Sequence, residues 1–93
     1  KYKKLPIIYG DKKNFKNLFG NLKKLNFPIY EVEKYFLFKT KRWDLHLNDN
    51  KIIKLPIKNY DESIKNFIIL RKNRDFDKYK VFDYRLYDQI ILK

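Results

Sequence analysis

Cysteine and alanine are missing from this 93-residue chain, and serine, threonine and histidine occur once each. Without cysteine there are no disulfides and no thiolate metal sites, and either redox compartment is allowed. His46 alternates onto the polar face of a strand beside Asp44, reads as a solvated strand residue, and has no plausible nucleophile for a partner. Ser63 falls in the first turn of a helix, where serine is common for structural reasons. Glycine is scarce, and Gly10 and Gly20 form no phosphate-binding loop. Asp75 and Asp77 make a loop DxD with no further ligand, weak grounds for Ca²⁺ or Mg²⁺. The residues therefore assign no catalytic, cofactor-binding or metal site. The longest apolar runs, 35–38 and 67–70, are four residues each, far short of a membrane span. No secretory signal is visible. Starting at Lys1, the chain reads as a piece of a longer protein, so missing targeting segments say little about location.

What is present suffices for one domain over residues 1–93 with a modest core. Hydrophobic residues make up 44% and aromatics 18%, which argues against disorder despite 37% charge. The formal charge of +12 raises nucleic acid or an anionic membrane as partners. The basic residues are nineteen lysines and four arginines, however, whereas phosphate and base readout favours arginine forks. Abundant Lys, Asn, Ile, Tyr and Phe with no Ala is the signature of an AT-rich genome, which accounts for most of the charge. The excess still shapes solubility and long-range steering.

The clearest pattern lies in residues 42–70. Trp43, Leu45 and Leu47 alternate with Arg42, Asp44 and His46, the period of a half-buried strand. Asn48, Asp49 and Asn50 supply a turn, and Ile53, Leu55 and Ile57 alternate on a return strand. Asn59 with Glu62 has the shape of a capping box before a helix whose apolar stripe is Tyr60, Ile64, Phe67 and Ile68. Upstream, residues 5–9 are extended and Asp11 caps a helix carrying Phe15, Leu18, Phe19 and Leu22 on one face. A break or bend is expected near Gly20. Residues 29–39 read as a strand whose second half, 35–38, is apolar on both faces and so covered on both sides. Downstream, Phe76 tucks inward from a charged loop, Phe82, Tyr84 and Leu86 alternate in a strand, Tyr87 and Asp88 turn, and residues 89–92 form a short last strand. The expected fold is α+β: a mostly antiparallel sheet of about five strands with two helices packed on it and an exposed C-terminal edge strand.

Two binding readings follow from the pattern. A basic nucleic-acid-binding α+β module would stack bases on Tyr9, Tyr30, Tyr35, Tyr84 or Tyr87. No cluster of aromatics with glycines supports it, and Trp43 reads as core. The other reading rests on the terminal strand Gln89, Ile90, Ile91 and Leu92, which carries no internal charge or proline to blunt a free edge. Such an edge is either covered by another part of the protein or extended by a partner's strand.

The order of motifs resembles the C-terminal region of the bacterial FtsQ (DivIB) cell-division family. Leu5-Pro6 with Gly10 is similar to the family's LP…G stretch, and Arg42-Trp43-Asp44-Leu45 to its RWDL strand. Asn50 to Pro56 resembles the segment that follows, and Phe82-Asp83-Tyr84-Arg85-Leu86 the late strand and turn. The turn at 48–51 lacks the family's usual glycine, and Tyr87 stands where many relatives have proline. The resemblance implies the β domain of a single-pass inner-membrane protein, periplasmic at the division septum, with no enzymatic activity and no cofactor. It implies as partners the divisome proteins FtsB and FtsL, with FtsB adding a strand along the last strand. Carried onto this chain, that interface is Arg85, Leu86, Tyr87, Gln89, Ile90, Ile91 and Leu92, with Arg85 facing an acidic residue of FtsB. On this reading a proline at Ile91 removes a ladder amide that the partner needs.

Overall fold

A computed structural model describes residues 5–86 and 89–93. Its elements run β1 (Ile7–Tyr9), α1 (Lys12–Lys24), β2 (Val32–Leu37), β3 (Trp43–Leu47), β4 (Ile52–Lys54), α2 (Tyr60–Leu70), β5 (Val81–Asp83) and β6 (Ile91–Leu92). All six strands form one sheet in the order of the chain.

The sheet is mixed, which corrects the expected five-stranded, mostly antiparallel one. β2, β3 and β4 form the anticipated antiparallel meander, and β6 is antiparallel to β5. β1 and β2 pair in parallel, as do β4 and β5. The reason is the helix between the strands of each parallel pair. A strand that is followed by a helix returns to the same end of the sheet and pairs parallel to the next strand. Both crossovers step the same way across the sheet, so right-handed connections place both helices on one face. There Asn21 Nδ2 of α1 donates to Tyr60 Oη of α2 at 2.7 Å.

The core lies between that face and the helices. One cross-sheet row follows the register from edge to edge: Ile8, Tyr35, Leu45, Ile53, Phe82 and Leu92. Its four middle members are buried, as are Leu18 and Leu22 of α1 and Ile64 and Phe67 of α2. Phe67 meets Phe82 edge-on at 5.0 Å, and Phe76 stacks on Phe82 at 5.2 Å, so Phe76 does tuck inward. The helix-free face carries the row Tyr9, Phe36, Asp44, Lys54, Asp83 and Ile91.

Several local expectations are corrected. α1 passes through Gly20 without interruption, because Asp11 Oδ1 caps it at Asn14 N (2.7 Å) and Leu18 and Leu22 anchor both sides of the glycine. Asn59 makes no side-chain cap; it adopts a left-handed conformation (φ 60°), and its carbonyl accepts from Glu62 N at 3.3 Å. Residues Ile29–Glu31 form a 3₁₀ turn rather than strand. Among the described residues Phe36 and Phe38 have no second layer over them: Tyr9 stacks on Phe36 at 4.5 Å, Phe36 contacts His46 at 4.8 Å, and Phe38 is exposed beneath the Arg42 guanidinium. The terminal strand is shorter than 89–92, with Gln89 and Ile90 exposed ahead of it.

Candidate partner-binding edge

Among the described residues β6 is an edge strand, with β5 as its one neighbour in the sheet. What its free side offers follows from the backbone pattern. Lys93 N donates to Val81 O (3.0 Å) and Val81 N to Lys93 O (3.1 Å), so these two form a hydrogen-bonded pair. In an antiparallel ladder such pairs recur every second residue. The next is therefore Asp83 with Ile91, the registered partners. β5 agrees from its other side: Lys80 O accepts from Ile52 N and Tyr84 N donates to Lys54 O, leaving Val81 and Asp83 to face β6. Ile91 and Lys93 thus spend their backbone groups on β5. Leu92 and Ile90, between and before them, turn theirs to the open side.

This corrects the choice of Ile91 as the amide that a partner would use. Local sequence cannot show which residues of a short strand face inward, because that depends on the register against β5. The side chains divide the other way. Leu92 lies beside Phe82 on the helix face, half-buried against the core, and Ile91 lies beside Asp83 on the helix-free face.

Arg85 stands at the exit of β5. Its Nε and Nη2 donate to Asp83 Oδ1 and Oδ2 at 2.9 and 2.6 Å, and its backbone N also donates to Oδ1 at 3.0 Å. Asp83 is buried at 3% exposure, beneath a guanidinium that is itself exposed. The Arg85 hydrogen bonds hold the Asp83 carboxyl below its ordinary range, and the same contacts raise Arg85. Arg85 is therefore not a free cation awaiting a carboxylate but a fork already fixed on one. Among the described residues Nη1 has no hydrogen-bond partner, so one donor arm remains for a second anion. Sequence alternation placed Asp83 on the polar face and gave no hint of this lock. The Asp-x-Arg spacing, which puts both side chains on one face of a strand, is the signal that was there to read.

The remaining residues of the expected interface are Leu86, exposed after Arg85, and Tyr87, which lies outside the described residues, as does the expected turn with Asp88. The structure thus brings Arg85 to the exit of the strand that pairs with β6, and Ile91 and Leu92 into the edge itself. Of the tyrosines considered for base stacking, Tyr35 and Tyr84 are buried, Tyr84 with its hydroxyl on Asn66 Oδ1 at 2.8 Å. Burial pushes the Tyr35 hydroxyl up to about 12 and raises Tyr84 also. Tyr9 is stacked on Phe36, and Tyr30 belongs to the 3₁₀ turn that precedes β2. These side chains do not form one platform. Asp75 and Asp77 are paired with Lys78 and Lys51.

A family model for the C-terminal part of the cell-division protein FtsQ/DivIB matches residues 1–85. The chain belongs to the FtsQ/DivIB family. The family is one of membrane-anchored scaffold proteins at the division septum, and this domain accordingly has a role in cell division. No curated protein matches the chain. The family match ends on Arg85, so β6 and its approach lie beyond it. Among the described residues no helix is long and apolar enough to cross a membrane. β1 is the opposite edge of the sheet, and its three residues are all exposed.

Proposed function

We propose that this FtsQ/DivIB domain is a non-enzymatic scaffold of the divisome that receives a strand from FtsB, in complex with FtsL, along the free side of β6. The domain would act in the periplasm, held to the inner membrane by a segment upstream of Lys1. The observation that carries the reading is the outward turn of the Leu92 and Ile90 backbone groups on an edge that ends the cross-sheet apolar row. A strand added there gains main-chain hydrogen bonds from those two residues and a side-chain neighbour in Leu92. The free arm of Arg85, held at the exit of β5 by Asp83, suits a carboxylate next to that strand.

The test compares two prolines. Ile90→Pro removes an outward amide and no bond to β5, so titration calorimetry with an FtsB segment is expected to show binding lost while circular dichroism stays unchanged. Ile91→Pro removes the amide that faces Asp83, so it is expected to loosen β6 itself and lower thermal stability. Wild-type affinity in the Ile90→Pro protein would sink strand addition at β6.

A further inference from the structure

We propose that the outward face of α1 is a docking surface for an anionic phospholipid bilayer. At ~100° per residue, Lys12, Lys13, Lys16, Lys23 and Lys24 fall within an arc of about 120°. The arc lies on the side of the helix away from Leu18 and Leu22. Among the described residues none of the five enters an ion pair, and one ammonium, Lys23 Nζ, lies over an aromatic ring, that of Phe19, at 5.5 Å. Asp11, the nearest acid at the helix start, is committed to Asn14 through backbone and side-chain bonds of 2.7 Å. Gly20 lies within the arc, and a Cβ there would meet nothing within 4 Å, so the helix backbone is bare between Lys16 and Lys24.

Composition alone does not explain this arrangement, because α2 comes from the same lysine-rich chain and is built differently. α2 has Asp61 and Glu62 in its first turn, where the helix dipole favours them, and Lys65 lies 3.8 Å from Glu62. α1 has no acid in its first turn and two lysines there, against the dipole. Its like charges repel at three- and four-residue spacings. That cost falls when a polyanion covers the face. Past the end of α1 lies a groove of about 720 Å³ between the helices, where Lys23 and Lys72 add to the basic surface while Arg71 is paired with Glu31 at 2.6 Å.

Lysine favours a bilayer over nucleic acid as the occupant. Its flexible point charge follows diffuse headgroup charge, whereas phosphate and base readout uses the arginine fork and aromatic stacking. The arc carries no arginine and no aromatic, Phe15 and Phe19 being half-buried on the inner side. The family is membrane-anchored, which brings a bilayer within reach. α1 joins β1 to β2 at one end of the sheet and β6 closes the other, so a domain resting on α1 keeps its partner edge free.

The test is co-sedimentation of the chain with phosphatidylcholine vesicles with and without phosphatidylglycerol. Binding is expected to the anionic vesicles alone and to weaken with salt. Replacing Lys12, Lys13 and Lys16 together with glutamine is expected to reduce partitioning on the order of a hundred-fold, about five-fold per lysine. Removing the same charge elsewhere, with Lys58→Gln, Lys65→Gln and Lys80→Gln, is expected to change it only a few-fold. Equal losses in the two triple variants, or no binding to anionic vesicles, would overturn the proposal. So would tighter binding to an oligonucleotide that depends on the α1 lysines. Because the chain lacks cysteine, Asn17→Cys gives a single nitroxide site on the otherwise unaltered protein. Vesicles are expected to shield that label from an aqueous relaxing agent, and unchanged accessibility would also overturn the proposal.

Discussion

Lys51 is the place where the structure makes its most quantitative demand. Its side chain is 1% exposed, and its Nζ donates to Tyr79 O at 3.0 Å. The same ammonium lies 4.7 Å from the centre of the Phe76 ring and 3.6 Å from Asp77 Oδ1. These contacts tie the β3–β4 turn to the segment that leads into β5, and so bear on where β5 presents β6. Lys51→Met keeps most of the volume and removes the charge. The lost charge-assisted hydrogen bond is worth about 1.5–3 kcal/mol, and the cation–π contact about 0.5–1. Asp77 is 92% exposed at its side chain, so its ion pair is set near zero. Relief of the ammonium's desolvation offsets part of the loss. A net destabilisation of about 2 kcal/mol is expected, which for a domain of this size lowers Tm by about 10 °C. Lys51→Ala should cost more, since it adds a cavity. Urea unfolding followed by fluorescence of Trp43 would measure both, and Asp77→Asn should add to Lys51→Met with no coupling beyond about 0.5 kcal/mol. A Lys51→Met protein as stable as wild type would refute the reasoning, because it would mean that relief of desolvation cancels the hydrogen bond and the cation–π contact.

Other outcomes follow from the same contacts. Gly20→Ala should stabilise α1 by about 1 kcal/mol in urea melts, because the helix is continuous there and the space beside it is open. Tyr35→Phe should be neutral or stabilising by about 1 kcal/mol, because the Tyr35 hydroxyl is buried without a hydrogen-bond partner among the described residues. Tyr84→Phe should destabilise by a similar amount, since it strips the partner from Asn66 Oδ1. Asp83 has a folded pKa below its ordinary 3.8, so its contribution to stability is complete above about pH 4 and is lost as pH falls through the lower folded value. Asp83→Asn should therefore remove part of the acid dependence of Tm, while stability above pH 4 drops.

What could be read from the sequence was local. The meander, α2 and the Asp11 cap of α1 were legible because each writes its own period or capping residue into a short window. The parallel pairings of β1 with β2 and β4 with β5 were not, because strand neighbours are a property of the connections. The strand–helix–strand spacing allows a parallel return but does not by itself show which strands become neighbours. Burial of charge was equally hidden. Asp83 belongs to a polar position by alternation yet is buried beneath Arg85, and Lys51, in phase with Ile53 and Leu55 but charged, is buried by the Phe76 loop. The edge strand is legible from its lack of charge, but that the open side carries the backbone groups of Leu92 and Ile90 follows only from the register against β5.

The most direct measurement is residue-resolved amide exchange by NMR, with and without an FtsB segment. In the free domain the Ile91 and Lys93 amides, bonded to β5, should exchange more slowly than those of Ile90 and Leu92. Adding the segment should protect Ile90 and Leu92 and leave β1 unaffected. Protection appearing at Ile7, Ile8 and Tyr9 instead, or none at Leu92, would contradict strand addition at β6.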